Sequence, residues 1–286
     1  MDTTSEKLQK VLAQAGFGSR RQMESWISEG RIKINGKLAT LGDRVTGNEQ
    51  FEIDNRAIVL KIDDTTQVIA YHKPVGEMST RHDPEGRPTV FANLPKLRGA
   101  RWIGIGRLDV NTSGLLLLTT NGELANRLMH PSRSIEREYA IRILGKPTPE
   151  HLQQLQRGIE LEDGMAHFKS VRDAGGEGAN HWYHVVLTEG KRREARRLWE
   201  ALGFTVSRLM RIRYGDIPLP AHLRQGHHQP LEPQQIQQLM DSVSLAYSAP
   251  KIAATPAPRT RSPRRPASAK KTVYQNQPPQ KKRPRV

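Results

Sequence analysis

The run Gly106-Arg107-Leu108-Asp109-Val110-Asn111-Thr112-Ser113-Gly114-Leu115-Leu116-Leu117-Leu118 sets one acidic residue in a short polar loop, ahead of four consecutive leucines. Glycines at 106 and 114 let the backbone come close on either side of it. An aspartate at a strand end, beside an arginine, is ionised at neutral pH. Ionised, aprotic and held in place, it is suited to act as a nucleophile. The alternative, which an isolated Arg-Leu-Asp favours, is a turn that Asp109 merely caps while Arg107 pairs with it.

A second cluster runs Leu187-Thr188-Glu189-Gly190-Lys191-Arg192-Arg193-Glu194-Ala195-Arg196-Arg197. From Lys191 on, the apolar positions Ala195, Leu198, Trp199 and Leu202 follow helical spacing, and Gly203 ends the pattern. At about 100° per residue, Arg192 and Arg196 flank the buried stripe and can reach inward to a carboxylate. Arg193 and Arg197 point away, toward solvent or phosphate.

Other chemistries find no support in the sequence. The chain lacks cysteine, which excludes disulfide scaffolds, thiolate zinc sites and cysteine nucleophiles. His227-His228 has no third ligand at sensible spacing, Gly36-Lys37-Leu38 mimics a phosphate loop without its hydroxyl residue, and no glycine-rich dinucleotide fingerprint follows a strand. No metal and no cofactor is expected.

Charge points to the partner instead. The 286 residues carry 45 Lys and Arg against 29 Asp and Glu, a net charge of +16. Residues 242–286 hold eleven of those cations and no acid, leaving +5 for residues 1–241. The polar start Met1-Asp2-Thr3-Thr4-Ser5-Glu6 is unlike a signal peptide, and the apolar run Leu115–Leu118 is far too short to span a bilayer. The expectation is a soluble, cytoplasmic protein that binds a polyanion and no membrane.

The elements that must hold these groups fall into four stretches. Residues 1–62 read as a small module: a helix over Leu8, Val11, Leu12 and Ala15, capped by Thr3 and Glu6 and stopped at Gly16. A second helix opens on a Ser19/Gln22 box and closes at Gly30, and an Asn35-Gly36 hairpin follows Arg31-Ile32-Lys33-Ile34. Arg20, Arg21, Arg31, Lys33 and Lys37 can gather on one face of it to bind RNA. A polar linker covers 63–67. Residues 68–245 show strand patterns at Val68–Tyr71, Trp102–Ile105, Leu115–Thr119, Tyr139–Leu144 and Trp182–Leu187, with helical patterns at Glu123–Met129 and Glu150–Gln156. That mixture predicts an α+β fold, a mostly antiparallel mixed sheet flanked by helices. Residues 246–286, rich in Pro, Ala, Ser, Lys and Arg, read as a disordered basic tail.

Taken together, Gly106-Arg107-Leu108-Asp109 and Thr112-Ser113-Gly114-Leu115-Leu116-Leu117 resemble the signature of the pseudouridine synthases of the small-subunit-A type. The N-terminal module, from Lys7-Leu8-Gln9-Lys10-Val11-Leu12-Ala13 through Ser19-Arg20-Arg21 to Ile32-Lys33-Ile34-Asn35-Gly36, resembles the S4 RNA-binding domain that this family carries in front. Asp83–Phe91, Leu94–Trp102 and Arg213–Pro220 resemble the branch that acts on large-subunit ribosomal RNA. The likeness covers roughly residues 5–232.

The resemblance implies site-specific isomerisation of uridine to pseudouridine in large-subunit (23S) ribosomal RNA, by base flipping and without a cofactor. It implies a catalytic Asp109, a Tyr139 that packs on the target base, and an Arg196 that pairs with the aspartate. Arg107 would fill the vacated stack. Lys73, in Tyr71-His72-Lys73-Pro74, belongs to a motif that supports the cleft and is grouped with Arg192, Arg193 and Arg197 as an RNA contact. The implied partner is ribosomal RNA or an assembling ribosomal particle, met by a monomer. The rival expectation is a non-catalytic S4-domain protein that binds ribosomal RNA or assists ribosome assembly. Glycosidic hydrolysis would want two flanking carboxylates, and the matched motifs offer one.

Overall fold

Alternation in the sequence dictates the layers. In a strand, successive side chains face opposite sides of the sheet, so Val68 and Ala70 on one strand share a face with Leu115 and Leu117 on its neighbour. Ile69, Tyr71, Leu116 and Leu118 take the other face. The leucine run is buried on both sides because both faces of the sheet are covered.

The computed structural model describes residues 5–60, 65–97, 99–176 and 178–247. Thr3 and most of the basic tail lie outside the described residues, which belong to one unit by their contacts. The N-terminal module comprises β1 (Glu6–Lys7), α1 (Leu8–Gln14), α2 (Arg20–Ser28), β2 (Ile32–Ile34), β3 (Lys37–Leu38), β4 (Arg44–Val45), β5 (Phe51–Ile53) and β6 (Arg56–Ile58). Its sheet runs β3-β2-β5-β6, and Leu8, Leu12, Met23, Ile27, Ile32 and Phe51 form its core. The Asn35-Gly36 hairpin is present, both residues at positive φ. Ser19 Oγ accepts from the Gln22 amide, as a helix cap should. The first capping box is a correction: Glu6 is paired in β1 and its carboxylate takes Lys10, so α1 starts at Leu8 without a side-chain cap.

The larger segment contains β7 (Val68–Lys73), β8 (Ile103–Ile105), β9 (Ser113–Thr119), α3 (Gly122–Met129), a single 3₁₀ turn, β10 (Arg137–Leu144), α4 (Pro149–Arg157), β11 (Ile159–Leu161) and β12 (Gly164–Ala166). It continues with β13 (Ser170–Asp173), β14 (Asn180–Leu187), α5 (Glu194–Ala201), β15 (Val206–Tyr214), β16 (Ile217–Pro218), β17 (His228–Pro230) and α6 (Pro233–Ser242). The central sheet runs β13-β14-β10-β15-β9-β7-β17, with β8 on β9 and β16 on β15. Its pairings are antiparallel except β9 with β15. This is the mixed sheet the sequence predicts. The strand over 206–214 and the helix over 233–242 go beyond the sequence pattern. Among the described residues no helix is long and apolar enough to cross a membrane.

One register row crosses the middle of the sheet: Val185, Tyr139, Arg211, Gly114 and Lys73 lie side by side on five strands. Gly114 sits at φ +106°, and a Cβ there would press on the Arg211 carbonyl oxygen and lie 2.5 Å from its nitrogen. Gly114→Ala therefore combines a strained backbone with an overpacked seam. We expect a loss of roughly 3 kcal/mol and a Tm lower by roughly 6–12 °C, read by thermal denaturation. An unchanged Tm would show that β9 and β15 are not this close.

Candidate active site

β7 ends at Lys73 and β9 begins at Ser113, side by side, and the turn carrying Asp109 fills the space at their ends. Five consecutive carbonyls of that turn are each held by a donor. Leu108 O accepts from Ser79 Oγ at 2.8 Å, and Ser79 Oγ takes the Leu108 amide at 3.1 Å. Asp109 O accepts from Lys73 Nζ at 3.1 Å and from the Thr112 amide at 3.0 Å. Val110 O accepts from the Gly76 amide at 2.8 Å, Asn111 O from Arg196 Nη2 at 2.8 Å, and Thr112 O from Lys73 Nζ at 2.9 Å. With its backbone fixed in this way, the turn leaves the Asp109 side chain exposed. A carboxylate that must meet a large substrate needs that combination of rigidity and access.

Three buried cations lie under the turn. Lys73 has no exposed surface, Arg211 is 1% exposed and Arg196 is 7% exposed. Lys73 Nζ also donates to Pro74 O at 2.9 Å, so its three protons meet three carbonyls. Burial brings its pKa down to about 8, against the pull of the Glu77 and Asp109 charges. Glu77, itself buried, accepts from the Tyr71 hydroxyl at 2.6 Å. Burial also holds Arg196 below its ordinary pKa, partly offset by charges that include Asp109. Arg211 donates Nε to Leu115 O at 2.7 Å, and its guanidinium lies 5.1 Å from the Tyr214 ring centre.

Tyr139 stands two strands from β9 and packs against the cluster that contains Leu108, Trp102 and Tyr71. Among the described residues its hydroxyl makes no hydrogen bond. Thus Asp109, Tyr139 and Arg196 all border the 108–114 turn, through a side chain, an apolar contact and a backbone bond respectively. The expected direct pairing of Arg196 with Asp109 is corrected. Arg196 donates to Asn111 O and Val206 O, and acts on the carboxylate only through the field of its charge.

Several expected RNA contacts are also relocated. Lys73 cannot touch RNA, because it is wholly buried under the turn. Helix α5 starts at Glu194, not Lys191; Arg193 is its left-handed N-cap and Arg192 lies exposed before it. Arg197 grips Asp163 at 2.7 and 2.9 Å, and Arg193 approaches Glu200 at 3.5 Å. In the N-terminal module Arg31 is bound to Asp54 and lies over Trp26, while Lys33 reaches Asn55. Arg20, Arg21, Lys37 and Arg107 are exposed. Sequence reasoning missed Ser79, Gly76 and Arg211. A lone serine in a loop and an arginine in an unassigned strand carry no periodic signal.

The Lys73 arrangement sets a pH dependence of two opposite signs. Above about pH 8 the amine has two protons for three carbonyls, and the turn loosens. Activity should fall through an alkaline limb near pH 8, and Lys73→Met should lower the rate about 100-fold. Stability moves the other way. The folded pKa lies below the ordinary 10.5, so the unfolded chain binds this proton more tightly. The folding penalty is full below about pH 8 and is relieved as pH rises toward 10.5. Rates and chemical denaturation across this range check both; flat activity to pH 9.5 would contradict the assignment.

Comparison with known proteins follows the same division of the chain. A family model described as RNA pseudouridylate synthase matches residues 67–201, and one described as S4 domain matches residues 6–51. Ribosomal large subunit pseudouridine synthase B of Salmonella typhi is 62% identical over 226 residues, 78% of each chain. The protein of that name from Escherichia coli (strain K12) is 59% identical over 245 residues, 84% of each chain. That of Vibrio cholerae is 57% identical over 244 residues, 84% of this chain and 76% of the relative. A solved structure described as a pseudouridylate synthase shares the fold, with a TM-score of 0.58 at 24% identity, over 82% of this chain and 99% of the other.

Proposed function

The chain belongs to the RNA pseudouridylate synthase family, with an S4 domain in front, and from that premise we propose how its residues divide the work. The protein is an isomerase acting on ribosomal RNA. Its substrate is a uridine of large-subunit ribosomal RNA, which is what its relatives are named for. It works in the cytoplasm, as a monomer.

The reaction breaks the C1′–N1 bond of uridine, turns the uracil, joins C1′ to C5, and moves the C5 proton away while N1 gains one. Reactant and product are isomers, so the atoms balance without donor or acceptor. Asp109 is the nucleophile: an exposed carboxylate on a turn whose five carbonyls are all engaged carries this assignment. Attack on sugar or on base uses the same group, so one substitution removes both. The buried charges of Lys73 and Arg196, which feel that of Asp109, are in place before the substrate arrives. Tyr139 offers its ring to the uracil and a free hydroxyl to a late proton transfer. The target nucleotide must leave its stack, at a few kcal/mol, and Arg107, exposed beside Asp109, is placed to fill the gap.

Release of tritium from C5-labelled uridine in large-subunit ribosomal RNA tests this reading. The wild-type chain should release label as pseudouridine forms. Asp109→Asn should lower that rate about 1000-fold or more while leaving RNA binding intact. Release at the wild-type rate by the variant, or product confined to small-subunit RNA, would overturn it.

A further inference from the structure

The turn after α1 of the S4 domain lies tight against the catalytic domain at Gly16. A Cβ on Gly16 would lie 3.1 Å from both the nitrogen and the oxygen of Ala100. A cleft of about 290 Å³ opens there, with Gly16, Ala100, Arg81, Phe91, Arg101 and Trp102 in its walls. Arg20, at the start of α2, stands close enough for its charge to act on Arg101.

These three arginines differ from those held in ion pairs. Arg31, Arg87, Arg197 and Arg213 each grip a carboxylate. Among the described residues no ion pair reaches Arg20, Arg81 or Arg101. Arg81 is oriented by the Trp102 carbonyl, to which its Nη2 donates, and by the Phe91 ring 4.3 Å beneath it. Arg101 has its Nε buried without a partner. Burial, then Arg81, then Arg20 all hold Arg101 below the ordinary arginine pKa. Three like charges gathered without an acid repel one another, and fixed guanidinium forks match a phosphate. Phe91 and Trp102 pack in the same cluster as Leu108 and Tyr139, so the cleft adjoins the Asp109 turn.

We propose that Arg20, Arg81 and Arg101 form a phosphate site for the RNA backbone at the junction of the two domains, gripping one strand from both sides. The proposal rests on RNA being the substrate and adds where its backbone is held. The S4 domain thereby acts as one jaw of the clamp beside the catalytic cleft.

The test measures binding of a large-subunit ribosomal RNA fragment by fluorescence anisotropy, between about 50 and 300 mM salt. The full chain carries Asp109→Asn throughout, so that bound RNA is not turned over. Arg20→Gln, Arg81→Gln and Arg101→Gln are each compared with that parent. Each should weaken binding about 3–10-fold at about 150 mM salt and lower the salt slope by about 0.7–1. Arg20→Gln with Arg101→Gln should cost less than the product of the two single effects, since both lose the same phosphate. Arg157→Gln, an exposed charge on α4, supplies the effect of charge alone. Unchanged slopes, an equal effect from Arg157→Gln, or independent action of Arg20 and Arg101 would overturn the proposal. If Arg101→Gln fails to fold by circular dichroism, the exposed Arg20 and Arg81 carry the test. Failure of tritium release by the wild-type chain would strike the proposed reaction alone, because the binding data are read without turnover.

Discussion

An ammonium group with no exposed surface stays charged in a protein interior only where oxygens replace its lost water. Lys73 meets that requirement with three carbonyls, two of which belong to the turn that carries Asp109. The constraint works in both directions. The turn must close on the lysine to satisfy the buried charge, and the charge keeps the turn from relaxing. Ser79, Gly76 and Arg196 tie the remaining carbonyls, so the backbone of residues 108–112 has nowhere to move while its one acidic side chain stands open.

The sheet supplies what the turn cannot. Placing β9 parallel to β15, with Gly114 against Arg211, lets the strand from the N-terminal side of the catalytic domain meet the strand that follows α5. That join brings Arg196 to Asn111 and sets Tyr139 two strands from Gly114. Residues far apart in sequence become neighbours through one backbone seam that only glycine fits. Lys73 and Arg196, both buried and so little screened by solvent, act by charge on that carboxylate.

Much of this architecture is legible in the sequence. Apolar and β-rich runs locate β7, β9, β10 and β14, and helical spacing locates α2, α3 and α4, because burial leaves a regular trace. The Asp109 run stands out because a mostly polar stretch between two glycines, just ahead of the leucine run, reads as a turn. Other features leave no such trace. Whether a cation points at a carboxylate, a carbonyl or solvent depends on rotamers and on strands that arrive from elsewhere. Lys73 thus reads as an RNA contact and is a buried support, and Arg196 reads as the partner of the aspartate and holds a carbonyl. Helix α5 begins later than its apolar stripe suggests because Arg193 turns left-handed to start it. The opposition of Arg101 and Arg20 is invisible in the sequence because two domains must meet to create it.

Asp109 rides on a turn made rigid by a buried lysine. Native-state hydrogen exchange at the amides of Gly76 and Thr112, which donate to Val110 O and Asp109 O, tests it most directly. At pH 7 both should exchange about 100-fold or more slower than free peptide. Above about pH 8, where Lys73 gives up its proton, their protection should drop while that of Leu117 in β9 holds, after correction for intrinsic rates. Unprotected amides at pH 7, or protection that follows Leu117 unchanged through pH 9.5, would contradict it.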